Sequence, residues 1–259
     1  DNSYDNCNAN QTDKPMNAVK PMNSIKPVET MRPEVTISEP LTLASISDGR
    51  LYDLKDLVRA DSDGCVGCSA CCCGVGELVK LTPFDIHEMK RGLGNAFDDL
   101  LADHLELRTV DKITLPYLKM IGPDERCSFL NDEGRCSIHG YRPNICRLFP
   151  LGRVYQENDF KYFLQVNACV KPKLKKVKVE QWIGIDNYEK NKAFLLAWHT
   201  CLKALAFRFK FIRDAEELKT ANDYLLETFY RRPLKEGEDF YDAFFESLAE
   251  AKDRLGIIV

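Results

Sequence analysis

Five of the nine residues from Cys65 to Cys73 are cysteine, and nothing else in the chain restricts its fold as strongly. The stretch reads GCVGCSACCCGVG, two C-x2-C steps leading into a triple cysteine. Vicinal and C-x2-C cysteines do not pair easily with one another as relaxed disulfides. They do converge on a metal, because the turn between them brings both sulfurs to one side. Gly67, Ser69 and Ala70 are small enough to permit that turn and to leave main-chain N–H groups free to face sulfur.

The remaining cysteines extend the pattern. The chain has 11: Cys7, Cys65, Cys68, Cys71, Cys72, Cys73, Cys127, Cys136, Cys146, Cys169 and Cys201. Small secreted domains use many cysteines because they lack a core. A chain of 259 residues that is 44% hydrophobic can bury a core without such staples. Metal ligation in a reducing compartment is therefore the preferred reading over a disulfide framework. Cys65, Cys68 and either Cys71 or Cys72 resemble the ferredoxin-like run that places three thiolates on one cluster. Adjacent residues point in different directions, so Cys71 and Cys72 are able to serve two centres.

A second block follows. Cys127 and Cys136 flank an expected hairpin turning at Asp132-Glu133-Gly134, Cys146 lies in the turn after it, and Cys169 closes the next strand. The candidate metal ligands are thus Cys65, Cys68, Cys71, Cys72, Cys127, Cys136, Cys146 and Cys169. Eight thiolates suit two four-cysteine clusters, or one cluster and one closed zinc site. Cys73 reads as a spare thiol or a further ligand. His139, at C-x2-H from Cys136, reads as half of a zinc pair or as a plain surface residue. Arg142 and Arg147 bracket Cys146 and would offset the negative charge of a four-thiolate cluster, unless they pair with Asp132 or Glu133. Cys201, mid-helix, reads as packing; His87, His104 and His199 show no partner pattern.

The expected fold class is α+β and mostly helical: a cysteine-rich half with short strands and a hairpin, then a helical half. Residues 1–47 form an extended Pro-rich arm. Lys14-Pro15, Lys20-Pro21, Lys26-Pro27 and Arg32-Pro33 recur every six residues, which on a polyproline II helix puts every pair on one face. The arm reads as a semi-stiff linker or as a segment that docks on a partner or neighbouring subunit. Residues 48–178 form the metal-binding part, with 48–64 charged and expected to pack loosely. Thr82-Pro83 predicts a helix start and Gly92 or Gly94 its stop; Asn95 is expected to cap a second helix to about Arg108. Residues 112–120 and 160–168 read as extended, and 142–150 as a short helical turn. Residues 179–259 form a helical support, with helices at about 187–210, 214–231 and 239–255.

The formal net charge is −4 and the pI about 5.7, so no nucleic-acid partner is expected. The lysine-rich strand from Lys171 to Lys178 is either a solvated face or a docking patch for an acidic redox partner or an anionic substrate. No apolar run approaches the roughly 18 residues of a membrane helix. The chain starts at Asp1 and is read as trimmed. A cytoplasmic location is expected, with export after loss of a leader as the alternative.

Taken in order, C65VGC68SAC71C72, V79KLTPFD85, C127SFLNDEGRC136SIHGYRPNIC146RLFPLG and the later Cys169 resemble the CxxCxxCC cysteine-cluster family, the YkgJ-like zinc- or iron-chelating proteins. The resemblance covers about residues 62–170. It departs at Cys73, where the family more often has a basic residue, and at His139, where it often has an aromatic one. It implies an eight-cysteine module holding an iron–sulfur cluster or zinc. One similar branch, the flagellin lysine methyltransferases, is linked to a 4Fe–4S cluster and S-adenosylmethionine. This chain has no C-x3-C-x2-C run and no Gly-rich nucleotide loop, so methyl transfer is the weaker expectation. The leading expectation is a redox or electron-transfer protein with one or two 4Fe–4S clusters. A structural zinc adaptor and a protein that self-assembles through its arm are the alternatives.

Overall fold

The structure, a computed structural model, describes residues 43–63, 68–75, 78–171 and 173–258. The repeat of the Pro-rich arm and the Cys65 step lie outside the described residues.

The longest elements arise from local signals. Thr82 Oγ1 accepts the Asp85 N–H at 3.2 Å and Asp85 Oδ2 accepts the Thr82 N–H at 2.8 Å. This capping box, with Pro83 at the first helical position, starts helix α2 (Pro83–Leu93), and the left-handed Gly94 (φ 72°) stops it. Asp214 and Asp239 cap α7 (Ala215–Leu226) and α8 (Phe240–Leu255) with their carboxylates, and Gly256 ends α8. The 23-residue α6 (Tyr188–Lys210) buries Phe194, Leu195, Trp198, Cys201, Leu205 and Phe209 along one face at helical spacing. Phe194 and Phe244 meet edge to face at 4.7 Å, and Phe84 from α2 stacks on Tyr241 at 5.5 Å, so aromatic rings join the C-terminal helices to α2. After α7 the helix widens into a π-turn over Glu227–Arg231.

The strands form small antiparallel sheets. Strand β1 (Ser47–Tyr52), preceded by the turn-long α1 (Leu43–Ile46), pairs with β8 (Phe160–Gln165), which pairs with β7 (Leu151–Tyr155). Strand β2 (Leu57–Asp61) pairs with β9 (Lys175–Lys178), Val58 opposite Val177. Strands β3 (Leu105–Val110) and β4 (Ile113–Leu118) form a hairpin whose turn residues, Asp111 and Lys112, have φ of 50° and 66°. Strands β5 (Met120–Ile121) and β6 (Arg126–Cys127) form a shorter one. The hairpin β3–β4 meets the helical region through Asn222, whose Oδ1 accepts the Thr114 N–H at 2.7 Å and whose Nδ2 donates to Lys112 O at 3.0 Å.

Two expectations need correction. Residues 48–61 carry the paired strands β1 and β2, with Val58 2% and Ala60 0% exposed, rather than a loosely packed charged stretch. Helix α3 spans only Phe97–Asp103 and is capped by the Asp99 carboxylate on the Ala96 N–H; residues 105–110 leave it to pair with β4. The hairpin expected within residues 127–140 is present but short: the Asn131 N–H donates to Arg135 O and the Ser137 N–H to Phe129 O, each at 2.9 Å, about a bridge between Leu130 and Cys136, and the Gly134 N–H closes its turn on Asn131 O at 3.0 Å.

Candidate metal centre

Two of the thiols that gather in the structure flank that bridged turn. Cys127 ends β6, and Cys136 sits on the bridge to Leu130. Cys71 and Cys72 lie in a 3₁₀ turn, Ala70–Cys72, closed by the Cys72 N–H on Ser69 O at 2.8 Å. Cys146 lies within the short helix α4 (Asn144–Leu148).

Two distant residues fix α4. The fully buried Asp85, already capping α2, also accepts the Asn144 N–H on Oδ1 at 2.7 Å. At the other end, Trp182 from α5 (Val179–Ile183) donates its indole N–H to Leu148 O and Phe149 O, each at 3.2 Å. A five-residue helix is too short to hold itself, so these two anchors decide where Cys146 stands. Neither was among the sequence candidates. Thr82-x-x-Asp85 announces a cap, but nothing local announces that the same carboxylate reaches Asn144.

Cys68, Cys71, Cys72, Cys127, Cys136 and Cys146 line one cavity of about 360 Å³. Apolar residues, among them Val79, Leu118, Ile138 and Phe149, form most of the remaining wall. Cys169 stands apart from this cavity. It borders a small one of about 20 Å³, which it shares with Cys68 and Cys71. Cys65 lies outside the described residues. Cys73 is disulfide-bonded, which corrects the expectation of a spare thiol; the chain straightens there as it leaves the 3₁₀ turn and bridges Arg126. Among the described residues, no three His, Cys, Asp or Glu side chains form a group that could hold a metal ion as they stand.

Burial and neighbouring thiols disfavour the ionisation of Cys72, Cys127 and Cys146. Burial pushes Cys127 up to about 11, and the nearby Cys136 adds to this. Cys146 is raised by burial first, then by Cys127, Asp85 and Cys136. In the vicinal pair the proton stays on Cys72, whose hydrogen bond to Cys71 lowers Cys71 and raises Cys72 itself. Desolvated sulfurs crowded in this way favour a bound cation, which would pair with their thiolate forms. The donor set therefore fits a thiophilic metal or cluster.

Arg142 lines the cavity and donates to His139 O at 2.6 Å, and its charge helps to lower Cys71. Arg147 donates to Gly140 O at 3.0 Å. Both guanidinium groups thus donate to main-chain carbonyls, and no ion pair with Asp132 or Glu133 is seen among the described residues. His139 also lines the cavity, with Nδ1 3.1 Å from an Arg142 nitrogen. Cys201 is fully buried in α6, as expected of a packing residue. His104 stacks on Phe129 and His199 on Tyr155, with ring centroids 4.1 and 3.8 Å apart. Of the lysine strand, Lys175 pairs with Asp63 and Lys178 lies 3.8 Å from Glu180, so part of its charge is matched within the chain.

A thiol-lined cavity on an α+β scaffold defines a metal-chelating protein. Residues 64–174 match the model of the CxxCxxCC family, described as a putative zinc- or iron-chelating domain. No curated protein and no solved structure matches the chain. Among the described residues no helix is long and apolar enough to cross a membrane.

Proposed function

We propose that the chain holds a 4Fe–4S cluster in the thiol-lined cavity and works in electron transfer. One observation carries this reading. Six thiols line a single volume of about 360 Å³, yet no three described metal-ligand side chains close on one ion. A polynuclear cluster spans such a volume better than a single tetrahedral zinc does.

The inner set comprises Cys72, Cys127, Cys136 and Cys146, which surround the cavity and influence one another's ionisation. Cys68, Cys71 and Cys169, which border the small cavity, belong with Cys65 to an outer set that would serve a second centre. Adjacent Cys71 and Cys72 are then divided between the two. A bound cluster supplies one-electron chemistry. The chain holds its thiolates in place, and its apolar wall keeps water from them. Arg142 and Arg147 offset negative charge at the rim.

Anaerobic purification with iron, zinc and acid-labile sulfide analysis, followed by EPR on the dithionite-reduced protein, tests this reading. About four iron and four sulfide per cluster, with a brown colour that bleaches on reduction, is the expected result. Colourless protein with stoichiometric zinc and no sulfide would overturn it.

A further inference from the structure

A second cavity, of about 340 Å³, lies between α2, the π-turn after α7, and α8, and no cysteine lines it. The hydrogen bonding defines the π-turn: the Arg232 N–H reaches back five residues to Glu227 O at 2.9 Å. Such turns are rare in helices and recur at functional sites. Here the widened turn presents the carbonyls of Tyr230 and Arg231 to Lys90, whose Nζ meets them at 3.4 and 3.3 Å. Both bonds are long for an ammonium donor.

The charges on the cavity wall are unequally matched. Arg91 pairs with Glu88 at 2.9 Å and Arg232 with Glu250 at 3.4 Å. Among the described residues the half-buried ammonium of Lys90 meets no carboxylate, and burial lowers its pKa. The apolar side of the wall is aromatic. Phe229 and Phe240 flank Phe244, with ring centroids 5.7 and 6.3 Å from it. A concave site with an aromatic wall and a half-buried cation held only by carbonyls has the composition of a small-molecule site.

We propose that this cavity binds a small apolar carboxylate, with its anionic head on Lys90 and its aryl or alkyl body on the wall of Phe229, Phe240 and Phe244. Lys235, the other wall cation outside an ion pair, shares its rim with Glu238 and Glu246, which leaves Lys90 to hold a monoanion. Glu238 and Glu246, on the same rim, disfavour a more highly charged head such as a phosphate. The site shares no lining residue with the cysteine cavity, so it stands whichever metal that cavity holds.

Calorimetric titration of the full, metal-loaded chain with naphthoate, and separately with neutral naphthamide, tests the proposal. Naphthoate is expected to bind saturably and about tenfold more tightly than the amide. Lys90→Met should bring the acid down to the level of the amide. Ala243→Phe, which fills the cavity from α8, should weaken both, and circular dichroism checks that each variant is folded. Three results would each overturn the proposal: no saturable binding of naphthoate, equal affinity for acid and amide in the wild-type chain, or unchanged affinities in Ala243→Phe.

Discussion

Around the thiols the regular structure is short: β5 and β6 have two residues each, α4 has five, and Cys71 and Cys72 sit in a single 3₁₀ turn. In the C-terminal region α6 alone runs for 23 residues and α8 for 16, and their buried faces interlock through Phe194, Trp198 and Phe244. The second region derives its order from packed rings. The first has few such contacts among its thiols, and its elements are held by anchors from elsewhere, Asp85 and Trp182. A region built this way gains most from a bound metal, because the metal replaces the cross-links that short elements lack.

Four measurements put that contrast at risk. Metal removal by a chelator should produce the largest effect and a local one: hydrogen-exchange protection should fall more than about tenfold in α4 and β5–β6, while α6 and α8 keep theirs. Equal loss in both regions would show that the contrast is false. Next, Phe194→Ala should cost about 3–5 kcal/mol in denaturant unfolding, since it opens a void in the aromatic core. Its metal content per folded chain should stay at the wild-type level.

Asp85→Asn tests the tie between the regions. The carboxylate accepts from Thr82 and Asn144 at once, and an amide in its place must turn a donor toward one of those N–H groups. A loss of about 1–3 kcal/mol is expected. The alkylation rate of Cys146 in metal-free protein should rise, whereas Thr82→Ala, which leaves the Asn144 bond in place, should not raise it.

The last measurement is a pH dependence confined to the helical region and absent at neutral pH. Burial raises the Cys201 thiol from 9.0 to about 12. Folded protein therefore keeps this proton through a range in which the unfolded chain has released it. Stability should fall as pH rises from 9 toward 12, by up to about 1.4 kcal/mol per pH unit from this group, and below pH 9 the group should contribute no slope. Cys201→Ala should flatten the slope relative to wild type in unfolding titrations across that range.

The features legible in the sequence are those whose physics is local. Thr82-Pro83 and Gly94 delimit α2, Asp214 and Asp239 start their helices, and Gly256 ends the last, because each cap acts within one turn of chain. Strands β1 and β2 are not legible in the same way, because their partners, β8 and β9, lie more than a hundred residues away and their outward residues mix charged Asp48, Arg50 and Arg59 with exposed Leu51 and Leu57. Helix α3 reads as too long for the same reason: Leu105–Val110 becomes strand only because β4 is there to pair with it.

That thiols gather follows from residue order alone, since C-x2-C spacing and the second cysteine block leave few other uses for so many sulfurs. The helical support follows from it too, through period and caps. Where each thiol stands does not; the folded chain decides that. It sets Cys71 and Cys72 in one turn at the border of two cavities, places Cys169 apart from the larger one, and removes Cys73 from the free thiols. A thiol's neighbours are fixed by where its element is anchored, and anchors are free to come from anywhere in the chain. For Cys146 they are a carboxylate 61 positions earlier and an indole 36 positions later.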